Sequence, residues 1–122
     1  MSVPGAQLKV LTAISKPDCV HIAERHGPGG SSDALFDQNF LDANGGYGGI
    51  AKSVFETGDS SVEYDNSRRL IYRYYKNFNT KTGIGKDKDG RNVVFKGVEM
   101  VGTLGTFVFN VETMFPKGIL KT

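Results

Sequence analysis

The alternation of hydrophobic and polar residues is clearest in the second half of the chain. Leu70, Tyr72 and Tyr74 fall on one side of an extended segment, and Arg69 and Arg73 fall on the other. Aromatic and β-branched side chains suit a pleated surface, so this pattern favours a strand over a helix. The segment therefore predicts one strand of a β meander that runs from residue 62 onward.

Two further strands are predicted over 93–101 and 106–113, around a glycine-containing turn at 102–105. The Asp89-Gly90 pair is a hairpin signal before them. Alternation places the following side chains in the core: Phe107, Phe109 and Val111. We expect Pro116 to end the last strand, since proline has no amide hydrogen to donate to a ladder.

The first half of the chain reads less clearly. Residues 6–14 alternate as a half-buried strand, and 19–26 can follow as its hairpin partner with Val20 and Ile22 inward. A short helix capped by Asp18 is the alternative for 19–26. We favour the hairpin.

One helix is predicted near residues 33–43. Ser31 or Ser32 can cap it, and the Asn44-Gly45 pair is a stop signal. Its apolar stripe consists of Leu35, Phe36, Phe40 and Leu41. The glycines of 45–49 then predict a loop, and 50–57 fits either a strand or a short helix.

These elements give a single domain over residues 1–122. The predicted fold class is α+β, mostly antiparallel β-sheet (sandwich or barrel-like), with one short helix near residues 33–43. The chain has 16 glycines among 122 residues, about twice the usual share, which also favours strands and turns over a helical bundle.

Charge is unevenly distributed along the chain. Residues 1–67 hold four basic and nine acidic side chains, and residues 68–122 hold eleven basic and four acidic ones. This asymmetry predicts an anionic partner or opposite surfaces that meet between subunits. The alternative is that the two halves lie across one another in the fold.

Cys19 is the single cysteine, so the chain cannot form an internal disulfide, which fits a reducing compartment. There is no secretory signal pattern and no run of about 20 apolar residues. We therefore expect a cytoplasmic location without a membrane partner; a virion or another assembly is a further option.

The segment Gly46–Ser53 has the length of a phosphate-binding loop. It departs from that motif at Ala51, where glycine is required, and no buried parallel strand is predicted before it. We interpret it as a glycine-rich surface loop that leads into a strand or helix.

Cys19, His21 and His26 are the candidate metal ligands or catalytic groups. On a strand, Cys19 and His21 share a face while His26 points the opposite way, so the three would not converge. The sequence thus favours a buried cysteine and two surface histidines. It predicts no catalytic residue, no metal and no cofactor.

The basic and aromatic segment 68–96 is the strongest candidate surface. Cations neutralise phosphates, and aromatic rings offer stacking surfaces for unpaired bases. The predicted partner-binding residues are Arg68, Arg69, Arg73, Tyr75, Lys76, Lys86, Lys88 and Arg91.

The function predicted from these features is that of a non-enzymatic structural or assembly subunit, of coat, tail or linker type. It would act through protein–protein contacts, as a homo-oligomer or in a larger complex. The alternative is a small β-rich nucleic-acid-binding domain that uses segment 68–96. A small enzyme acting through Cys19 or His21, or a ligand carrier, is the weakest of these hypotheses.

Overall fold

The predicted fold class is confirmed: the protein is α+β with a mostly antiparallel sheet. A computed structural model describes residues 13–14, 19–105 and 108–121. Within them the strands are β1 (Ala13–Ile14), β2 (Ala34–Phe36), β3 (Asp59–Tyr64), β4 (Leu70–Asn77), β5 (Gly83–Lys86), β6 (Asn92–Gly105) and β7 (Val108–Ile119). The helices are α1 (Cys19–His26), α2 (Gln38–Ala43) and α3 (Gly46–Thr57).

The seven strands form one open sheet organised around the long strand β6. β7 pairs along one edge of β6, while β4 and β5 follow one another along the other edge. β3 extends the sheet beyond β4, β2 extends it beyond β5, and β1 joins β7 in the one parallel pairing that the described strands make. The sheet therefore ends in strand edges and, in the described residues, is neither a closed barrel nor a two-sheet sandwich.

Helix α3 covers the centre of the sheet. Its residues Ile50, Val54 and Phe55 are buried, and the helix contacts β4 and β6. The Phe55 ring lies 5.1 Å from Tyr74 and 5.4 Å from Phe109, centroid to centroid. Burying aromatic groups of this size supplies much of the free energy of folding.

The strand predictions for the second half are confirmed in kind. β4, β6 and β7 occur where alternation predicts strands, and Phe109 and Val111 are buried. The turn predicted at 102–105 is wrong, because those residues belong to β6 and pair with β7. Phe107 lies outside the described residues. The expected stop at Pro116 is wrong, since β7 continues to Ile119. Pro116 pairs with Val98 on β6, and no described strand pairs with it on the other side, so its missing amide hydrogen disrupts no ladder.

The helix predicted near residues 33–43 is shorter than expected. Residues 34–36 form β2, and the helix begins after Asp37, whose carboxylate accepts from the Phe40 amide at 3.2 Å. Asp37 is therefore the cap, and Ser31 and Ser32 are not. The asparagine stop is confirmed, with Asn44 as the C-cap of α2.

The loop predicted over 45–49 is wrong, because α3 begins at Gly46 and includes that segment. Gly45, at φ 77°, supplies the left-handed residue that starts the helix. The weak helix propensity of the glycines is offset by the buried apolar side that follows them.

The hairpin favoured for the start of the chain is also corrected. Residues 19–26 form helix α1, the alternative, and not a strand. The expected strand 6–14 falls outside the described residues except for β1, and Asp18 lies outside them too.

The acidic and basic halves of the chain meet inside the fold. Acidic β3 pairs with basic β4, and ion pairs across residue 67 join Asp65 to Arg69 and Asp37 to Lys81. Part of the charge asymmetry is thus neutralised within one molecule. No helix in the described residues is long and apolar enough to cross a membrane.

Candidate functional site

Helix α1 is amphipathic, and its two faces carry different side chains. Ile22 and His26, four residues apart, are buried, whereas His21 and Arg25, also four apart, are exposed. The helix packs against β7 and β2. Both histidines of the chain therefore lie on one short element at the margin of the sheet.

The loop after α1 returns the chain alongside the end of the helix. The amides of Ser31 and Ser32 donate to the carbonyls of Glu24 and Arg25 at 3.0 and 2.8 Å. A Cβ at Gly30 would lie 2.7 Å from the Arg25 carbonyl oxygen, so this approach requires glycine. Two carbonyl groups in the last turn of the helix thus receive backbone hydrogen bonds. The same loop places the start of β2 beside His26.

The imidazole of His26 is held in one orientation. Its Nδ1 lies 2.9 Å from the carbonyl oxygen of Ala34, and its ring lies 5.4 Å from that of Phe115. A carbonyl can only accept, so Nδ1 carries the hydrogen and Nε2 keeps its lone pair in the neutral ring. Burial lowers the pKa of His26, although the bond to Ala34 opposes this, and nearby Arg25 lowers the pKa further.

These groups line one cleft of about 520 Å³ between α1, the start of β2, the end of β5 and β7. We call it the histidine cleft. It is lined by His21, Arg25, His26, Ser32, Asp33, Ala34, Lys86, Thr113 and Phe115. Its volume lies in the range of small-ligand sites, and it contains two imidazoles, two cations and two hydroxyl groups.

The cations of the histidine cleft lack acidic partners within the described part of the chain. The Arg25 side chain makes no hydrogen bond or ion pair there, and Lys86 donates to the neutral amide oxygen of Asn92 at 2.8 Å. The Asp33 carboxylate is likewise without a hydrogen bond or ion pair to a described residue. The site is therefore positive at Arg25 and Lys86 and carries acceptor groups at its rim.

The predicted partner-binding set lies elsewhere for the most part. Arg69 binds Asp65 and Glu112, and Arg73 binds Glu63 and Glu99, which raises the pKa of both guanidinium groups through those hydrogen bonds. These arginines belong to ion pairs on the sheet.

The other members of that set are dispersed. The Tyr75 hydroxyl donates to the Lys117 carbonyl at 3.3 Å, and Lys76 donates to Ser53 at 2.6 Å. Arg91 lies 3.6 Å from Asp89, and Arg68 and Lys88 are exposed. Lys86 is the member of the set that lines the histidine cleft.

The segment 46–53, which has the length of a phosphate-binding loop, instead forms the N-terminal part of α3. Its Lys52 lies 3.9 Å from Glu56 on the helix surface, and its Ser53 accepts from Lys76. Neither side chain belongs to the histidine cleft.

Sequence reasoning missed most of this cleft. The predicted strand separates His21 from His26; on helix α1 both line the cleft, and His26 is buried and not a surface residue. The sequence signal for a helix here is the spacing of four residues in two pairs, Ile22 with His26 and His21 with Arg25. Thr113 and Phe115 had no such signal, because they reach α1 through the tertiary fold alone. The Cys19 side chain is outside the description, and no group of three metal-ligating side chains occurs among the described residues.

Searches for similar proteins found no match: no family model, no curated protein and no solved structure corresponds to this chain.

Proposed function

We propose that the protein binds single-stranded RNA in the histidine cleft and cleaves it by general acid–base catalysis. The observation that carries this proposal is the convergence of His21, His26, Arg25 and Lys86 on one cleft. Histidine is the side chain best suited to proton transfer near neutral pH, and unpaired cations attract phosphates.

The proposed roles follow from the surroundings of each group. His26, neutral and oriented by the Ala34 carbonyl, accepts the proton of a ribose 2′-hydroxyl at Nε2. The 2′-oxygen attacks the adjacent phosphorus, and the bond from phosphorus to the 5′-oxygen breaks. His21, in its protonated form, gives its proton to that leaving oxygen. Arg25 and Lys86 stabilise the negative charge that grows on the phosphate.

RNA suits this site because it carries its own nucleophile beside each phosphate. The products are a 2′,3′-cyclic phosphate and a 5′-hydroxyl end, so atoms and charges balance without a further reactant. The exposed face of α1 leaves His21 and Arg25 open to a long strand. A cytoplasmic location, predicted from the sequence, would supply such a substrate.

The experiment is incubation of the protein with an end-labelled single-stranded RNA and with the same strand carrying 2′-deoxyribose throughout. We expect cleavage of the RNA to cyclic phosphate products and no cleavage of the deoxy strand. An intact RNA, or equal cleavage of both strands, would contradict the proposal.

A second function is supported by strand β3, and it corresponds to the predicted assembly subunit. All six residues of β3 are exposed, with Val62 at 53% and Tyr64 at 73%, and β3 pairs with β4 along one edge. The partner we propose is a second copy of the chain, added antiparallel with Val62 opposite itself. That register places Glu63 opposite Ser61 and Tyr64 opposite Ser60. Asp59 comes opposite Asp65, just beyond the strand, whose carboxylate is already paired with Arg69.

Light scattering on a sizing column tests this second function. A dimer that Val62→Lys converts to a monomer would support it, because two lysines would then face each other. A wild-type monomer at high concentration would contradict it.

A further inference from the structure

A second cavity adjoins the histidine cleft. It has a volume of about 490 Å³ and shares Ser32, Asp33 and Lys86 with the cleft. A ligand that fills the cleft can therefore extend into this cavity without leaving the protein surface.

The wall of the second cavity is an apolar row across three strands. Leu35 on β2 pairs with Ile84 on β5, and Ile84 pairs with Val94 on β6. Directly paired residues project to the same face of a sheet, so these three side chains lie next to one another. Ile84 is 47% exposed, although such residues are usually covered in the folded state. We call this row the apolar platform.

The junction between the two cavities carries a carboxylate. Asp33 lines both of them, and its side chain has no hydrogen bond or ion pair to a described residue. A carboxylate repels phosphate, so the phosphate belongs on the Arg25 side of the cleft. The group that reaches Asp33 must instead offer hydrogen-bond donors.

We propose that the apolar platform holds the base of the nucleotide next to the bound phosphate, and that Asp33 selects guanine. This inference rests on the proposed RNA cleavage and names its substrate preference. Guanine presents two adjacent donors, N1–H and the 2-amino group, which match the two oxygens of one carboxylate. On the pairing edges of adenine, cytosine and uracil, each donor lies beside an acceptor. The flat ring packs on Leu35, Ile84 and Val94.

The test uses four single-stranded RNAs that differ in one central base, with cleavage mapped by position. We expect cleavage beside guanine to exceed that beside adenine, cytosine or uracil by about tenfold, as for one good pair of hydrogen bonds at an exposed site. Asp33→Asn replaces one acceptor by a donor and should abolish that preference. Because Asp33 is exposed and its side chain makes no hydrogen bond or ion pair to a described residue, this variant should fold normally.

The possible outcomes separate the two proposals. Equal cleavage beside all four bases, or a guanine preference that survives Asp33→Asn, would overturn the guanine assignment and leave RNA cleavage standing. Absence of cleavage beside every base would overturn both. Competition by guanosine monophosphate but not by uridine monophosphate would support the assignment independently.

Discussion

Two regions of the molecule concentrate cationic side chains, and they differ in what surrounds those charges. On the sheet, Arg69 and Arg73 each bind two carboxylates. In the histidine cleft, Arg25 has no such partner among the described residues, and Lys86 binds a neutral amide. A cation that already has carboxylate partners presents less net positive charge to a phosphate than an unpaired one does.

The comparison shows that the density of basic residues along a sequence does not reveal which of those residues form ion pairs in the fold. Segment 68–96 is the richest in lysine and arginine, yet its arginines at 69 and 73 serve the junction between the acidic and basic halves. Helix α1 contributes one arginine and two histidines to the histidine cleft, and two of these residues, His21 and Arg25, are exposed. What distinguishes the two regions is whether the cations form ion pairs with carboxylates of the described residues.

The largest expected effect comes from removing the proposed base. His26→Asn keeps an amide group that can donate to the Ala34 carbonyl but has no group that accepts a proton. We expect the rate of RNA cleavage to fall by about 10²- to 10⁴-fold with little change in RNA affinity. Single-turnover kinetics measure the rate, and an unchanged rate would remove His26 from the mechanism. Lys88→Gln, on the exposed loop before β6, is the control.

A second variant tests whether the core between α3 and the sheet contributes more to the free energy of unfolding than the histidine cleft does. Phe55→Ala removes a ring buried against Tyr74 and Phe109, and we expect the free energy of unfolding to fall by about 3–5 kcal/mol. Arg25→Gln, on the exposed face of α1, should change it by less than about 0.5 kcal/mol. Urea denaturation measures both. Equal losses would mean that the cleft is part of the structural core.

A pair of arginine variants separates the two regions by RNA affinity. Arg25→Gln should weaken binding about tenfold, as expected for one charged contact to phosphate, and should reduce the dependence on salt. Arg69→Gln, of similar chemistry on the sheet, should bind as the wild type does. Fluorescence anisotropy with a labelled deoxy strand, which is not cleaved, measures both. The opposite ranking would assign binding to segment 68–96, as the sequence predicts.

The smallest effect is a dependence of stability on pH. The pKa of His26 is lowered by burial, so the folded state favours the neutral ring and the unfolded state binds the proton more readily. The contribution of His26 is complete above its ordinary pKa of about 6.5 and is lost as pH falls through the lower value in the fold. Unfolding curves at pH 7.5 and pH 5 should show a larger loss for the wild type than for His26→Asn. Equal losses would contradict the assigned shift.

The fold was predictable where one period of hydrophobicity dominates. In β4 the alternation of tyrosines admits few alternatives, and the strand occurs as expected. In 19–26 two periods coexist, because Val20 and Ile22 alternate while Ile22 and His26 are a helical turn apart. Packing against β7 and β2 decides between them, and that packing cannot be read from the local sequence.

Prediction of the candidate site depends on whether residues 19–26 form a strand or a helix. As a strand, the segment separates its histidines; as a helix, it places both in one cleft with Lys86, about sixty residues later. Acidic partners such as Glu112 for Arg69 are also distant in sequence, so local charge counts could not reveal which cations were neutralised.

Binding of RNA in the histidine cleft is tested most directly by mapping where a nucleic acid lies on the protein. Nuclear magnetic resonance of the isotope-labelled wild type, titrated with the uncleaved deoxy strand, reports on each region separately. We expect the signals of His21, Arg25 and Lys86 to shift in a saturable way while those of β4 stay unchanged. Shifts confined to β4 and its arginines would contradict it and return the binding surface to the sheet.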